Sequence, residues 1–268
     1  MSVFEALVLG TVQGLTEFLP ISSSGHLVII PELAGWEQPG LVFDVLLHVA
    51  SLLALVFYFA GDLIDLFRGV LAGDERSRRL LLLLAIASVP AAAFGLVLGE
   101  YFEEAFTHAR AAALQLLITA AILVAAEAAL GYHERRTAEA GRRLREVHDL
   151  GPVDAAAVGI AQAIAIWPGI SRSASTIAAG LGAGLARDSA ARFSFLMSMP
   201  VLLGAALVSL PDLGGSTMGL GAGIAGFASS LATSYAAIAA LIRYLRTNTL
   251  HPFAAYCVVA GILFYVLL

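Results

Sequence analysis

Two polar stretches interrupt a mostly apolar sequence, and both carry side chains that can bind a phosphate group. The first runs from Gln13 to His26 and includes a carboxylate, three consecutive serines and an imidazole. The second runs from Ser171 to Thr176 and places one arginine among hydroxyl groups. Arginine forms a planar fork that suits phosphate oxygens, and serine hydroxyls with free backbone amides bind the same oxygens where a helix begins. The two stretches together predict a site for a phosphate or diphosphate group.

The first stretch offers more than one chemistry. Gln13 and Glu17 are four residues apart, so that on a helix they share one face. A carboxylate buried in such apolar sequence stays ionised only beside a cation, for which Arg172 and a bound metal ion are the two candidates. Ser23 could attack phosphorus with His26 as its base, or the histidine could itself be the nucleophile or a general acid. The sequence alone leaves these roles open.

The elements that hold these residues are predicted to be membrane helices. Of the 268 residues, 59% are hydrophobic and 13% are charged, whereas a soluble domain carries about a quarter charged residues. The single cysteine, Cys257, excludes an intrachain disulfide and a cysteine metal cluster. Several apolar windows come close to the ~20 residues that a helix needs to cross the hydrocarbon. They are 41–61, 80–99, 111–130, 190–211, 218–242 and 250–268.

The arginines predict the orientation, because loops rich in basic residues stay in the cytoplasm. They cluster at 68–79, 135–145 and 243–246, and all three clusters are expected on that face. Both termini then lie outside the cell. The crossings add up only if 153–185 enters and leaves on one face, as a polar hairpin broken at Pro168. Irregular backbone at membrane depth requires burial in protein or a wet cavity, which favours a functional role over an ordinary turn.

An internal repeat relates the two polar stretches. Residues 10–27 align with 159–176. Each half then consists of a re-entrant hairpin and three spans, and an odd number of crossings inverts the second half. In this plan broken helices meet near the bilayer midplane, which would join the two stretches in one site. The alternative is a pair of ordinary helix-breaking turns. The alignment matches Gly10 with Gly159, Gln13 with Gln162, Ser22 with Ser171 and Ser24 with Ser173.

The predicted fold is therefore an all-α polytopic membrane protein with two inverted-topology repeats, each a re-entrant helical hairpin plus three transmembrane helices. The whole chain, 1–268, forms a single membrane domain. Repeat one covers about 1–130, a cytoplasmic loop about 131–151, and repeat two about 152–268.

The stretch from Gln13 to His26, and the later one from Pro168 to Thr176, closely resemble the motifs of the undecaprenyl-diphosphatase family linked to bacitracin resistance. The resemblance implies a membrane phosphatase that hydrolyses undecaprenyl or another polyprenyl diphosphate to the monophosphate. This enzyme recycles the carrier lipid of cell-wall and glycan synthesis and confers bacitracin resistance. The resemblance further implies a site open to the extracytoplasmic side of the cell membrane, a divalent cation (Mg or Ca) and frequent homodimers. Nothing in the sequence indicates a nucleic-acid partner.

The same resemblance, carried over by position, implies roles for individual residues. The family often has glutamate at position 13; with Gln13 here, Glu17 becomes the essential carboxylate, and these two residues are the expected metal ligands. His48, in a later stretch that also resembles the family, ranks below them. The expected catalytic residues are Glu17, Ser23, His26 and Arg172, and the expected diphosphate-binding residues are Ser22, Ser24, Ser171, Ser173 and Thr176.

Two other classes compete with this interpretation. Ser24-Gly25-His26 resembles half the motif of another membrane phosphatase family, but the chain lacks lysine, and no histidine or aspartate follows Arg172 at the required spacing. A transporter of lipid phosphates is the second alternative, because inverted repeats and broken helices are also a transporter plan. Phosphate release in detergent, where there is no second compartment, distinguishes hydrolysis from transport.

Overall fold

The computed structural model describes residues 1–105, 109–167, 169–209 and 218–268, and these ranges are folded almost entirely into α-helices. A 3-10 turn at Val147–Asp149 lies in the loop between the two halves. In chain order the helices are α1 (Val3–Phe18), α2 (Ser23–Ala34), α3 (Leu41–Tyr58), α4 (Ala60–Ala72), α5 (Glu75–Ala105), α6 (Ala109–Glu139), α7 (Pro152–Ile164), α8 (Arg172–Gly182), α9 (Arg187–Val208), α10 (Leu220–Leu245) and α11 (His251–Leu267).

Long apolar helices confirm the prediction of a multi-pass membrane protein. Five of the described helices are long and apolar enough to cross a bilayer: Leu41–Tyr58, Glu75–Gly95, Ala109–Glu139, Arg187–Val208 and Leu220–Leu245. The sixth predicted span forms α11, which has 17 residues and is about 25 Å long. That length is a little less than the ~30 Å hydrocarbon core, so α11 is shorter than the span that the sequence predicts at 250–268.

The second polar stretch lies in a hairpin, α7–α8, whose two ends meet at one face. Before α7, the Arg145 amide donates to the Gly184 carbonyl at 3.0 Å, and the Arg145 carbonyl accepts from the Ala186 amide at 2.9 Å. The latter two residues follow α8. Helix α7 has 13 residues and α8 has 11, so that each is at most about 20 Å long. The two ends of this hairpin therefore lie close together, and neither of its helices is long enough to cross a bilayer.

The first polar stretch lies in a similar hairpin, α1–α2. Phe4 near the start of α1 and Trp36 just after α2 pack edge to face, with ring centroids 6.3 Å apart. Helix α1 has 16 residues and α2 has 12, which makes both shorter than the hydrocarbon is thick. The serines that begin the second helix of each hairpin, Ser22 and Ser171, are buried. Pro168, where the sequence predicts the break of the second hairpin, lies outside the described residues.

Each hairpin packs its first helix against a span of the other half. Helix α1 lies against α10, and α7 lies against α5. The approach is close in both cases, since a Cβ atom on Gly10 would overlap the Gly226 carbonyl and one on Gly159 would overlap the Ala87 carbonyl. The two glycines are partners in the sequence repeat. This exchange of helices between the halves brings the two breaks together.

Buried ion pairing ties helix ends together at the arginine-rich face. Glu127 of α6 accepts hydrogen bonds from Arg187 of α9, at 3.0 Å from Nε and 2.6 Å from Nη2. The same carboxylate accepts from the Leu250 amide, just before α11, at 2.7 Å. Glu127 therefore has a structural part in joining three elements.

One boundary and one helix differ from the sequence prediction. The loop predicted at about 131–151 starts later, because α6 continues through Glu139. The charged residues after 132 mark the end of the apolar span, but they sustain a helix in water, where Arg136 lies over the Tyr132 ring. Helix α4 was not predicted, since 13 residues with alternating polar and apolar faces give no spanning signal.

Candidate active site

The starts of two half-helices, α2 and α8, meet where the hairpins break. Ser22 caps α2 by accepting from the Gly25 amide at 3.3 Å, and Ser171 caps α8 by accepting from the Ala174 amide at 3.2 Å. A direct bond joins the hairpins, since the Gly169 amide donates to Ser24 Oγ at 3.2 Å. Helix N-termini carry a partial positive charge and unpaired amides, so the meeting point favours an anion.

Ser22 has an unusual backbone conformation. It is the one non-glycine residue with positive φ among those described, with φ 70° and ψ 98°. Such conformations cost a non-glycine residue about 1–3 kcal/mol and concentrate at functional sites. The strained turn directs the next residue, Ser23, toward α1.

Glu17 is the centre of the charged cluster. Its Oε1 pairs with Arg172 Nη2, and its Oε2 accepts from Ser23 Oγ at 2.5 Å and from Gln13 Nε2 at 3.1 Å. His48 Nε2 lies 3.7 Å from the same Oε2. The carboxylate is 6% exposed and thus buried among partners from α1, α2, α3 and α8. The structure therefore brings both predicted polar stretches to one point, with Arg172 as the cation beside Glu17.

Two buried polar atoms in this cluster have no hydrogen-bond partner within the described part of the chain. They are Nη1 of Arg172, a donor, and Oε1 of Gln13, an acceptor. Buried polar groups are nearly always paired in folded proteins, so unpaired ones mark places for a ligand or water. A donor and an acceptor on opposite sides of Glu17 suit a phosphate oxygen and a cation, respectively.

His26 has partners other than those that the sequence suggests. Its Nδ1 lies 2.7 Å from the Ser22 carbonyl and its Nε2 lies 2.7 Å from Tyr256 Oη. Ser23, the residue for which His26 was a candidate base, donates instead to Glu17. The structure thus gives Ser23 a carboxylate partner in place of the imidazole. The reason is geometric: α2 turns Ser23 toward α1 and His26 toward α11.

The other predicted residues divide into two groups. Ser171 and Ser173 lie at the start of α8, with their hydroxyl oxygens 3.1 Å apart, and Ser173 donates to the Leu19 carbonyl at 3.2 Å. Thr176 lies one turn deeper, where its hydroxyl is 2.6 Å from Ser194 Oγ on α9. Ser22, Ser24, Ser171 and Ser173 therefore surround the meeting point, while Thr176 supports α8 from behind.

Sequence reasoning ranked His48 second and missed Tyr256. His48 is held by a bond of 2.7 Å between Nδ1 and the Asp44 carbonyl, and its side chain is 34% exposed on the open side of Glu17. Tyr256 lies 230 residues from His26 in an apolar helix without a motif. Only the packing of α11 against the first hairpin could reveal it.

The residues present fit a cation that is shared with phosphate. Among the described residues, no three His, Cys, Asp or Glu side chains form a metal cage. Glu17 and the unpaired Gln13 Oε1 nevertheless supply two neighbouring oxygen ligands. Mg²⁺ is commonly bound by one or two carboxylates with substrate phosphates as the remaining ligands, so two protein ligands suffice.

Known proteins match this chain over nearly its whole length. The family model described as Bacitracin resistance protein BacA matches residues 6–263. The Undecaprenyl-diphosphatase of Moorella thermoacetica is 42% identical over 258 residues, covering 96% of this chain and 94% of the relative. That of Trichlorobacter lovleyi is 42% identical over 272 residues, covering 98% and 96%. That of Methanosphaera stadtmanae is 36% identical over 283 residues, covering 100% and 98%. The chain, with both hairpin motifs inside the matched range, belongs to the bacitracin resistance protein BacA family.

Proposed function

We propose that this protein hydrolyses undecaprenyl diphosphate, or another polyprenyl diphosphate, to the monophosphate and inorganic phosphate. The observation that carries the proposal is the pairing of Glu17 with Arg172 where two serine-capped helix starts meet. Relatives along the whole chain bear the name Undecaprenyl-diphosphatase. The product is the carrier lipid that cell-wall and glycan synthesis uses again. The description of the family names bacitracin resistance, a property that fits an enzyme of this lipid cycle.

The site binds the diphosphate head while the prenyl tail stays in the bilayer. Arg172 Nη1 is a buried donor without a partner among the described residues, and it can donate to a phosphate oxygen while Nη2 keeps its pair with Glu17. The amides at the starts of α2 and α8 add further donors. These fixed donors offset the charge that moves onto the bridging oxygen as the phosphoanhydride bond breaks.

Ser23 is the best placed nucleophile, because its hydroxyl already donates to Glu17 at 2.5 Å. As Ser23 Oγ bonds to the terminal phosphorus, its proton passes to Glu17, and the bond to the bridging oxygen breaks so that the lipid monophosphate leaves. Water then attacks the phosphoserine and the Ser23 Oγ–P bond breaks. Glu17 returns the proton to Ser23 Oγ, and the oxygen and both protons of the water leave as part of inorganic phosphate. Attack by His26 is the alternative, but both of its ring nitrogens are engaged.

A divalent cation, Mg or Ca, is part of the proposal. Glu17 and Gln13 would hold it together with phosphate oxygens, as the unpaired Gln13 Oε1 suggests. When bound, such an ion neutralises phosphate charge and holds the reacting oxygens in place.

We further propose that the halves are inverted repeats and that the site opens to the extracytoplasmic side. Arg192 near the start of α9 pairs with Asp62 just after α3, so the end of α3 lies at the face of the second hairpin. The first hairpin precedes α3 and therefore enters from the opposite face. The arginine-rich loop beside the second hairpin marks that face as cytoplasmic, which puts both termini outside. Homodimers, which the family resemblance implies, can be tested by native mass spectrometry.

The direct test is phosphate release from undecaprenyl diphosphate by purified protein in detergent, with and without a chelator. We expect release of one phosphate per lipid, loss of activity with chelator, and its recovery with Mg²⁺ or Ca²⁺. Glu37→Gln, on an exposed loop residue, is the control for Glu17→Gln. Absence of phosphate release, with lipid movement across vesicle bilayers, would overturn hydrolysis in favour of transport.

The nucleophile is tested by acid quench and mass spectrometry during turnover. A phosphate on the peptide that contains Ser23 is the expected result. A phosphohistidine at His26 would contradict the serine route while leaving the diphosphatase assignment intact.

A further inference from the structure

The side chain of His26 is enclosed by α11, a helix to which the sequence assigns no role. Tyr256 Oη lies 2.7 Å from His26 Nε2, and the two rings stack with centroids 5.8 Å apart and planes at 15°. Phe264, two turns further along α11, meets the imidazole edge-on at 5.9 Å. His26 is 3% exposed, so these contacts fill its surroundings.

The hydrogen bonds fix which ring nitrogen carries the proton. Nδ1 of His26 lies 2.7 Å from the Ser22 carbonyl oxygen, and a carbonyl can only accept. Nδ1 is therefore the protonated nitrogen. In the neutral ring Nε2 is then an acceptor, and the Tyr256 hydroxyl donates to it. Both the tautomer and the ring orientation follow from these two bonds.

The hydrogen bonds of His26 are connected to Ser23, the proposed nucleophile, through the strained turn at Ser22. The carbonyl that His26 holds belongs to Ser22, whose φ of 70° is unfavourable for a residue with a side chain. A strained conformation persists only where its surroundings hold it. The next residue, Ser23, donates to Glu17 at 2.5 Å, and this contact depends on the course of the turn.

We propose that Tyr256 is a positioning residue of the active site. Its hydroxyl holds neutral His26 with the proton on Nδ1, and His26 in turn holds the Ser22 turn that places Ser23 against Glu17. The inference rests on the proposed function, because positioning Ser23 matters only if Ser23 reacts. It assigns a part in the reaction to α11, the last helix of the chain.

Tyr256→Phe tests the hydroxyl alone, because it keeps the ring that stacks on His26 and leaves the contact between His26 and Phe264 in place. We expect kcat to fall about five- to tenfold, the effect of one lost hydrogen bond, and KM to stay within about twofold. KM should change little because Arg172, the charged group that binds the diphosphate, is held by Glu17 and not by Tyr256 or His26. Tyr265→Phe is the matched control, since Tyr265 lies on the same helix and is 46% exposed against 41% for Tyr256. An unchanged kcat in Tyr256→Phe would overturn the proposal.

A double-mutant cycle separates action through His26 from independent packing. If Tyr256 acts through the imidazole, Tyr256→Phe has no further effect in a His26→Ala background. If instead the two losses multiply, Tyr256 acts on its own and the positioning role is wrong.

¹⁵N spectroscopy of histidine-labelled protein in nanodiscs provides a readout that needs no phosphatase activity. The His26 resonances are identified by their absence from His26→Ala. We expect a protonated Nδ1 and an unprotonated Nε2, with a shift of the Nε2 signal in Tyr256→Phe and none in Tyr265→Phe. A proton on Nε2 in the wild type would overturn the proposal. Because this result does not depend on turnover, it distinguishes failure of the positioning role from failure of the proposed function.

Discussion

The two hairpins share a design but contribute opposite charges. Both begin their second helix at a buried serine cap, Ser22 in one and Ser171 in the other. The alignment that pairs these serines sets Glu17 of the first hairpin opposite Ile166 of the second, and Arg172 of the second opposite Ser23 of the first. The ion pair at the site therefore joins one half to the other. The features that the hairpins share bring their second helices together, and the residues in which they differ, Glu17 and Arg172, form the ion pair of the site.

Strain distinguishes the hairpins as well. Ser22 has a φ of 70°, whereas its counterpart Ser171 has an ordinary φ of −70°. The imidazole that holds the Ser22 turn, from His26, has Ser175 as its counterpart in the second hairpin. The reacting serine is thus expected on the strained side, and the second, relaxed hairpin is expected to bind phosphate.

Loss of the reacting hydroxyl is the largest effect expected. Ser23→Ala should lower the initial rate of phosphate release at least about 10³-fold, because a covalent route loses its nucleophile. Ser209→Ala is the control, since that hydroxyl lies at the end of α9 and donates to the Ala205 carbonyl of the same helix at 3.1 Å. Retention of more than about a tenth of the rate would assign the attack to another group.

The paired glutamines sharpen the comparison of the hairpins. Gln13 donates to Glu17 at 3.1 Å, whereas both amide atoms of Gln162 are buried without a partner among the described residues. Gln13→Leu should lower the rate about 10²-fold by disturbing the carboxylate. Gln162→Leu should leave the rate within about twofold and hold or raise the thermal unfolding temperature, since an unpaired buried amide is costly. Equal losses in the two variants would show that the second hairpin also takes part in the chemistry.

The paired glycines test the exchange of helices between halves. Gly10→Ala and Gly159→Ala should each lower the free energy of unfolding by about 1–3 kcal/mol, because the added methyl overlaps a facing carbonyl. Gly131→Ala is the control, since a Cβ there meets nothing within 4 Å. Unfolding followed in a denaturing detergent titration gives the values. A loss confined to one of the two glycines would speak against equivalent packing in the halves.

A second carboxylate at position 13 should give the smallest effect. Gln13→Glu adds an anionic ligand beside Glu17, so the Mg²⁺ concentration for half-maximal activity is expected to fall by about three- to tenfold. A Mg²⁺ titration of chelator-treated protein measures it. Gln38→Glu, on an exposed loop residue, adds the same charge and is the control. An unchanged midpoint in Gln13→Glu would place the cation away from residue 13.

Much of the fold follows from the sequence because a bilayer imposes its own length scale. Windows such as 111–130 predicted α6 since hydrocarbon demands about 20 apolar residues. Helix α4 was not predicted because its 13 residues are too few to span the hydrocarbon and mix charged with apolar positions. The end of α6 at Glu139 was not predicted for a related reason. Hydropathy indicates where a helix leaves the membrane, whereas the helix itself can continue beyond that point.

The site was predictable in its membership and less so in its bonds. Burial of a carboxylate at Glu17 required a cation, and Arg172 was the candidate that the repeat brought near. The partner of Ser23 was not predictable from spacing. His26 is three residues away in sequence, but the strained turn and the direction of α2 present Ser23 to Glu17 instead. Contacts across more than 200 residues, such as that of Tyr256 with His26, leave no local signal.

The central claim, that the two halves form one hydrolytic site, is tested most directly by a double-mutant cycle on phosphate release in detergent. Glu17→Gln, Arg172→Gln and the double variant are compared with wild type, and each is confirmed as folded by size-exclusion chromatography. Each single change should lower the rate at least about 10³-fold. The double variant should be no slower than the slower single variant, because losing either partner already removes the function that the pair performs together. Losses that multiply in the double variant, or a single variant that keeps more than about a tenth of the rate, would contradict the account.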